Sequence, residues 1–335
     1  MDFTLGESQQ AVAGLAAEVL GGADPWKELA QAGLLDCSPP DGLGVLDAAV
    51  LLTEMGRHAV PDVPFRALAT VMTGALPVLR WGDADLRHAV LPGVAAGELI
   101  LTAAIREPSD PQPDHPATAV TDGTITGTKL GVPYAAEAAY LLVPARQAVA
   151  LVNPREEGVH LTRTPSATGQ PEYTVRLAGA PVDAVLGGAD CVRDLYQLAV
   201  AGACALADGA LAGALALTRD HVASRDQFGR PLATFQAVSQ QIADVYIASR
   251  TLHLATLSSC WRLDAGRAAA GDLDVAAYWC ASQAPPSVRI CHHLHGGLGM
   301  DVRYPLHRYS SLVSDLVRFL GGAEYRLERQ ACSLT

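Results

Sequence analysis

The chain has 335 residues, of which half are hydrophobic, 18% are charged and only 5% are aromatic. Its formal net charge of −11 argues against nucleic acid or an anionic membrane surface as a partner, since both would repel it. The apolar residues are mainly Ala, Leu and Val, which favours tightly packed helices over β-sandwich strands.

Residues 1–97 are predicted to form an N-terminal helical domain. Apolar side chains recur at three-to-four spacing between residues 11 and 20, and the segments 46–55 and 67–76 repeat this period. Glycine and proline pairs such as Pro39-Pro40 separate the segments.

Residues 98–190 are predicted to form a central β domain. Short β-type runs occur at 99–102, 124–126, 140–143, 148–151 and 173–177. Asp122-Gly123 is predicted to be a tight hairpin turn, and the proline- and aspartate-rich stretch from Glu107 to Pro116 an irregular loop.

Residues 191–335 return to an alanine-rich helical pattern, and we predict one long helix from Leu195 to about Ser224. Small residues on this helix would let another helix approach closely: Ala201, Ala205, Gly209 and Gly213. The predicted fold class is α+β, with helices on both sides of a small central β-barrel and a C-terminal four-helix bundle.

The cysteines are odd in number, scattered and without Cys-x-x-Cys spacing, which predicts reduced, buried thiols in a cytoplasmic protein. They are Cys37, Cys191, Cys204, Cys260, Cys280, Cys291 and Cys332. Polar residues near the N-terminus predict that no signal peptide is present. The absence of about 18 uninterrupted apolar residues predicts no membrane span.

Two motifs carry more specific information. Residues 225–231 read Arg-Asp-Gln-Phe-Gly-Arg-Pro, followed by Phe235-Gln236. Residues 295–300 read His-Gly-Gly-Leu-Gly-Met, followed by Tyr304-Pro305. In this order and spacing they resemble the helical-domain signatures of the acyl-CoA dehydrogenase family, flavoenzymes that desaturate acyl-CoA thioesters between Cα and Cβ. The resemblance spans nearly the whole chain and implies that family's fold.

The resemblance implies a shared FAD site, in which each part of the cofactor is held by a different chain. Arg225 would face the pyrophosphate of a neighbour's FAD as a fixed cation. Gln227 and Gln236 would add polar contacts, and Phe228 would supply an apolar wall. His293 stands where the family has glutamine, and Gly296 and Gly297 would permit close backbone approach to the adenosine.

The β domain departs from the family at the positions that contact the flavin ring. The usual Thr-Glu-Pro is Arg106-Glu107-Pro108, and the Gly-Ser-Asp after it is replaced by a run that begins at Ser109. In the Lys-x-Trp-x-Thr strand, which begins at Lys129, tryptophan becomes Gly131 and threonine becomes Pro133. Loss of a stacked indole and of hydroxyl donors predicts that the chain holds no flavin ring of its own.

The family's catalytic glutamate is also missing. Its usual position falls on Leu320, and the alternative position used by one branch of the family falls near Ala199-Val200. No catalytic residue is therefore predicted. Asp194 and Glu324 are the nearest candidates for a displaced base.

These features resemble the base-less small subunit of heteromeric α2β2 acyl-CoA dehydrogenases that act on steroid side-chain CoA thioesters. The resemblance implies a base-bearing partner subunit, an acyl-CoA substrate and an electron-transferring flavoprotein as acceptor. Two alternatives remain open, namely a homomeric dehydrogenase with a displaced base and a flavin-free structural or acyl-binding homologue. A metal site is not predicted. The histidines at 292, 293, 295 and 307 lack acidic or cysteine ligands at suitable spacing.

Overall fold

Helices flank a central run of strands along the chain. A computed structural model describes residues 3–40, 42–108 and 110–333, with side chains described as far as residue 331. The α-helices in these ranges are α1 (Glu7–Val19), α2 (Pro25–Gln31), α3 (Val45–His58), α4 (Pro64–Ala67), α5 (Leu76–Trp81), α6 (Ala84–Ala95), α7 (Ala189–Ser224), α8 (Gln236–Asp264), α9 (Ala270–His295), α10 (Leu306–Phe319) and α11 (Ala323–Ser333). A π-helix, Leu68–Ala75, connects α4 to α5. The predicted α–β–α order is confirmed.

The long helix α7 is the central element of the helical core. It ends at Ser224 as predicted but begins at Ala189 rather than at Leu195. A Cβ added at Gly209 would lie 1.8 Å from the carbonyl oxygen of Thr53 on α3. At Gly213 the added Cβ would lie 2.3 Å from the carbonyl oxygen of Arg57. The small residues therefore allow α3 and α7 to pack backbone against backbone, as the sequence predicted.

Helix α7 is also long and apolar enough, by length and composition alone, to cross a membrane. However, 89% of its most apolar window is buried inside the structure, which is the pattern of a core helix. The predicted thiols lie in the same apolar interior. The six cysteines whose side chains the structure describes are free and buried, and the side chain of Cys332 lies outside the described residues.

The central strands form two four-stranded sheets. Those described are β1 (Leu101–Ala103), β2 (Ala119–Thr121), β3 (Thr124–Pro133), β4 (Tyr140–Ala145), β5 (Ala148–Val152), β6 (Val159–Thr164), β7 (Glu172–Pro181) and β8 (Ala184–Leu186). One sheet has the order β1-β4-β5-β8 and the other β2-β3-β7-β6. The predicted small barrel thus consists of two separate hydrogen-bonded sheets. An isolated bridge between Arg106 and Leu130 joins them.

The predicted turn and loop of the β domain are both confirmed. Asp122 and Gly123 have φ angles of 49° and 75° and connect β2 to β3 in an antiparallel hairpin. Positive φ at both central residues is what a tight two-residue hairpin requires. The described residues between Glu107 and Pro116 form no helix or strand, and Ser109 lies outside the described residues.

Candidate functional site

The first motif forms a small exposed hairpin at the end of α7. The two-residue strands β9 (Asp226–Gln227) and β10 (Arg230–Pro231) pair antiparallel, with Phe228 and Gly229 at the turn. Phe228 has a φ of 54°, which is unusual for a non-glycine residue, and its side chain is 92% exposed. Because strain and exposed aromatic surface both cost free energy, this geometry indicates a contact outside the chain.

The residues around this hairpin fix its position. The backbone N–H of Arg225 donates to the carbonyl oxygen of His221 at 2.9 Å, and the side chain of Arg225 is exposed. The N–H of Leu232 returns to donate to the carbonyl oxygen of Arg225, also at 2.9 Å. Helix α8 then begins at Gln236, whose side chain is exposed. The polar motif residues Arg225, Gln227 and Gln236 therefore all lie on one exposed segment.

The second motif forms the end of α9 and the turn that follows. His293 is exposed in the last turn of the helix, and Gly296 has a φ of 57°. A Cβ added at Gly296 or Gly297 would meet no atom within 4 Å among the described residues, their chain neighbours aside. The left-handed backbone explains the glycine at position 296. The space beside both glycines is open to a group from outside the chain.

A stack of aromatic rings brings the two motifs together. His221 of α7 lies on His295 of α9 with ring centroids 4.4 Å apart. Nδ1 of His295 faces the carbonyl oxygen of Cys291 at 2.8 Å, so Nδ1 carries the proton and Nε2 accepts from the hydroxyl of Tyr304 at 3.1 Å. Sequence reasoning identified Tyr304 only as a motif residue and did not indicate the role of His221.

Two other histidines of this region, His292 and His307, contact backbone carbonyl groups in or next to the same turn. His292 Nδ1 lies 3.0 Å from the carbonyl oxygen of Gly299, and His307 Nδ1 lies 2.8 Å from that of Tyr304. The described residues contain no group of three or more histidine, cysteine or acidic side chains that could hold a metal ion. Backbone contacts account for His292, His295 and His307.

On the β-domain side, Glu107 and Lys129 form a buried ion pair. Lys129 Nζ donates to Glu107 Oε1 and to the carbonyl oxygen of Pro144, both at 2.8 Å. Thr118 also donates its hydroxyl to Glu107 Oε1, at 2.6 Å. Burial opposes ionisation of Glu107, but the bonds from Lys129 and Thr118 outweigh it and lower its pKa to about 2. Glu107 and Lys129 therefore link the loop after β1 to strands β3 and β4.

Gly131 lies beside a cluster of charged side chains. Its φ is 63°, and an added Cβ would lie 3.1 Å from Glu172 Oε1, 3.3 Å from Arg106 Nη1 and 3.4 Å from Arg318 Nη1. Arg318 of α10 binds Glu172 of β7 with both terminal nitrogens, one of them at 2.7 Å, and also reaches Asp315 at 3.0 Å. A larger side chain at this position would have to displace the charged ends of these three side chains.

Leu320 caps the end of α10 and is fully buried. Its carbonyl oxygen accepts a bond from Arg326 Nε at 2.6 Å. A Cβ added at the following residue, Gly321, would lie 2.6 Å from the ring of Tyr325. The segment is thus tightly packed around an apolar side chain that carries no proton-accepting group.

Two family models match the chain over its two helical regions. "Acyl-CoA dehydrogenase, N-terminal domain" matches residues 8–98, and "Acyl-CoA dehydrogenase, C-terminal domain" matches residues 196–327. The acyl-CoA dehydrogenase FadE28 of Mycobacterium tuberculosis (strain ATCC 25618 / H37Rv) is 46% identical over 349 residues and covers 100% of both chains. The chain belongs to the acyl-CoA dehydrogenase family.

Two solved structures of steroid-type or heteromeric relatives have the same fold. The ChsE4-ChsE5 complex from Mycobacterium tuberculosis matches with a TM-score of 0.91 and 30% identity, covering 100% of this chain and 99% of that chain. The Tcur3481-Tcur3483 steroid ACAD G363A variant matches with a TM-score of 0.90 and 31% identity, covering 98% of each chain. The acyl-CoA dehydrogenases are flavoprotein oxidoreductases, and FAD is their cofactor.

The two candidates for a displaced base differ in their surroundings. Asp194 accepts bonds from Arg80 Nη1 at 2.6 Å and from Trp81 Nε1 at 2.8 Å, which fix α7 against α5. Glu324 is exposed in the first turn of α11. Ala199 and Val200, near which the resemblance places the alternative base position, are buried. A carboxylate held by two donors is poorly placed to accept a substrate proton, so the geometry disfavours Asp194.

Proposed function

We propose that this acyl-CoA dehydrogenase chain is the non-catalytic subunit of a heteromeric enzyme, with FAD shared between subunits. In this proposal a partner subunit supplies the catalytic base, the flavin-ring site and the substrate pocket. This chain supplies contacts to the pyrophosphate and adenosine end of the partner's FAD. The contacts would come from Arg225, Gln227, Phe228, Gln236, His293, Gly296 and Gly297.

The observation that carries the proposal is the contrast between two parts of the chain. Arg106, Glu172 and Arg318 crowd Gly131, the position that the resemblance assigns to the flavin ring, and the position that it assigns to the base is the buried Leu320. The Arg225 segment, by contrast, is exposed. A chain that has lost the first set of contacts and kept the second can act only in combination with another chain.

The surface around the retained motifs also supports a partner. Phe228, Met300 and Val302 are 92%, 82% and 76% exposed, and all three lie on or next to the two motif segments. Exposed apolar residues that cluster around polar motif residues are typical of protein interfaces. A partner that covers them would bring its own FAD against Arg225.

The chemistry assigned to this chain is binding and orientation. FAD, when bound, accepts the hydride that leaves Cβ of the acyl group. Arg225 would neutralise the charge of the pyrophosphate through several hydrogen-bond donors. Because the chain has a net charge of −11, the positive charge that does this must be local. Gly296 and Gly297 leave their backbone open to close approach. The stack of His221 on His295 holds these two groups at a fixed separation.

The proposed substrate class is a bulky acyl-CoA, such as a steroid side-chain thioester, with an electron-transferring flavoprotein as the acceptor. Support comes from relatives that cover nearly the full chain at 30% identity or more, one of which is described as a steroid ACAD. The α2β2 composition and the cytoplasmic location are further parts of this proposal.

The experiment is a measurement of FAD content by visible absorption after co-purification with the base-bearing partner. The chain alone should be colourless, and the complex should be yellow and bleached by acyl-CoA. Arg225→Ala should remove most of the FAD from the complex. The control, Arg219→Ala, removes an exposed arginine of the same helix that pairs with its neighbour Asp220 and should leave the FAD in place.

Other outcomes would lead to different conclusions. A yellow homomer would contradict the shared site, and loss of its turnover in Asp194→Asn or Glu324→Gln would establish a displaced base. A stable assembly that binds acyl-CoA but never FAD would support a flavin-free homologue. Full FAD content in the Arg225→Ala complex would refute the assignment of Arg225.

A further inference from the structure

The first motif contains an arginine that has no assigned contact in the shared FAD site. Arg230 begins strand β10 of the exposed hairpin, and its side chain is exposed. Among the described residues, no carboxylate forms an ion pair with it, and its side-chain nitrogens make no hydrogen bond. Arg219, in contrast, pairs with Asp220 at 2.9 Å. Arg230 is therefore an unpaired cation within a segment that is proposed to bind an anionic cofactor.

The hairpin places the side chains of Arg225, Gln227 and Arg230 on one face. Arg230 is the direct cross-strand partner of Gln227. Directly paired residues of an antiparallel ladder share a face, and successive residues of a strand alternate between the two faces. Arg225 is itself extended, with φ −86° and ψ 116°, and its carbonyl oxygen accepts the N–H of Leu232 at 2.9 Å. The hydrogen-bond pattern therefore extends to Arg225, which lies two positions before Gln227 and on the same face.

The acidic residue of the hairpin lies on the opposite face. Asp226 stands between Arg225 and Gln227 in the sequence and pairs with Pro231 across the strands. Alternation therefore directs its carboxylate away from both arginines. The other face carries two guanidinium groups and one amide, which all donate hydrogen bonds. Because the chain has a net charge of −11, this face is a local concentration of positive charge.

An aromatic ring holds the guanidinium of Arg230 in place. The guanidinium carbon lies 4.1 Å from the centroid of the Phe235 ring. Phe235 is the cap residue at the start of α8, and its ring meets the ring of Phe228 edge-on, with centroids 6.1 Å apart. A cation–π contact uses the face of the guanidinium and leaves its N–H donors free. Arg230 is therefore held in position with its donors unused.

The spacing of the two arginines suits a pyrophosphate. Arg225 faces Leu232 across the hairpin, and Leu232 lies two positions beyond Arg230, so the two arginines are diagonal neighbours. Diagonal neighbours in an antiparallel pair lie about 7–8 Å apart. Side chains as long as arginine can converge from this distance on two linked phosphates, and each guanidinium can bind phosphate oxygens with two parallel donors. One arginine alone would neutralise only part of the charge of a pyrophosphate.

We propose that Arg230 is a second cationic contact to the pyrophosphate of the partner's FAD, beside Arg225, and that Phe235 is its positioning residue. The inference rests on the proposed shared FAD site and extends it to two residues outside the contacts assigned there. In this arrangement Arg225 and Arg230 bind neighbouring phosphates from one face of the hairpin. The FAD affinity of the complex then depends on both arginines and on the ring that holds the second one.

The test is the dissociation constant of FAD in the complex with the base-bearing partner, measured by titrating FAD into the cofactor-free complex and following flavin fluorescence. Arg230→Met removes the cation and keeps an unbranched apolar chain over Phe235. It should weaken FAD binding about tenfold to a hundredfold, as expected for the loss of a hydrogen bond between charged groups. Arg230→Lys keeps the charge and should recover part of the affinity. Arg219→Met, at the exposed and separately paired arginine, should leave the dissociation constant unchanged.

A second variant tests the role of the ring. Phe235→Leu leaves Arg230 in place but removes the aromatic face beside its guanidinium, so it should weaken FAD binding about twofold to fivefold. In an Arg230→Met background the same substitution should have little further effect, because no cation is left to position. An equal effect of Phe235→Leu in both backgrounds would overturn its positioning role.

Arg225→Ala, measured in parallel, separates this inference from the proposed function. Loss of FAD in Arg225→Ala with unchanged FAD affinity in Arg230→Met would overturn the inference and leave the shared site in place. Unchanged affinity in both variants would overturn both. Sedimentation of the complex supplies a further readout. Dissociation of the subunits in Arg230→Met at every FAD concentration would mean that Arg230 contacts the partner protein instead of the cofactor, which would also overturn the inference.

Discussion

His221 stacks on His295 with an angle of 16° between the ring planes, and this contact joins the C-terminal ends of the long helices α7 and α9. Each helix leads directly into one of the two motifs that are proposed to contact FAD. His221 lies one helical turn before Arg225, and His295 immediately precedes Gly296. The stack therefore sets the distance between the Arg225 cation and the open turn at Gly296. This distance must be fixed if both groups are to contact one cofactor.

The first prediction concerns the pH dependence of this stack. Burial lowers the pKa of both histidines, and the neighbouring Arg225 lowers that of His221 further. Because the unfolded chain takes up these protons first, stability is complete above the ordinary histidine pKa of about 6.5 and is lost as the pH falls below it. His221→Phe keeps a stacked ring without a titrating group. Its unfolding midpoint should fall less between pH 6.5 and 5 than that of the unsubstituted chain.

The control for this prediction is His160→Phe at an exposed position of β6. That variant should keep the pH dependence of the unsubstituted chain. If His221→Phe and the control show the same loss of stability toward low pH, protonation of the stack is not what destabilises the protein.

Much of the fold could be predicted from the sequence because the relevant signals are local. The Asp122-Gly123 turn lies between two β-type runs, and the small residues of α7 lie on one helical face. The strands β6 and β8 were not predicted. Val159–Thr164 carries mostly polar, partly exposed residues, and Ala184–Leu186 is only three residues long. Alternation of apolar and polar residues in the first covers only Val159 to Thr162, and the second is too short to show it.

The site was predictable only in part. Motif spacing predicts that Arg225 and Gly296 contact the cofactor, because these residues are close to their motif partners in sequence. The charged cluster at Gly131 depends on Glu172 and Arg318, which lie on the distant elements β7 and α10. The burial of Arg326, which is 1% exposed, likewise depends on tertiary packing. Pairings between elements so far apart along the chain leave no pattern in a single sequence.

The second prediction tests whether a flavin ring can be accommodated at Gly131. Gly131→Trp restores the family's indole, but it should lower the unfolding midpoint and leave the chain colourless, because Arg106, Glu172 and Arg318 occupy the space. Gly179→Trp is a matched control with a φ of 71° and no atom of the described chain within 4 Å of an added Cβ, neighbours aside. Both variants carry backbone strain of about 1–2 kcal/mol. Only Gly131→Trp adds a clash, so equal midpoints would contradict the assignment.

The third prediction concerns the buried ion pair of Glu107 and Lys129, whose side chains are 2% and 0% exposed. Lys129→Met leaves a buried carboxylate without its cation and should cost about 3–5 kcal/mol of the free energy of unfolding. Urea denaturation measures this loss. Glu107→Gln combined with Lys129→Met should recover part of it, because no unpaired charge remains.

The exposed pair of Arg193 and Asp190 provides the comparison for this experiment. Their side chains are 65% and 68% exposed. Arg193→Met should therefore change the free energy of unfolding by less than about 1 kcal/mol. A small effect of Lys129→Met, similar to that of Arg193→Met, would show that the buried pair is not important for stability.

The fourth prediction concerns Leu320, where the resemblance places the family's base. Leu320→Glu introduces a carboxylate at this fully buried position, so it should lower the unfolding midpoint. Leu320→Met keeps an apolar side chain of similar volume and should cost less than about 1.5 kcal/mol. Neither variant should desaturate acyl-CoA when purified without a partner, because a restored base does not remove the charged cluster from the ring position. Turnover by the Leu320→Glu homomer, followed by reduction of an artificial electron acceptor, would mean that the chain binds a flavin ring itself.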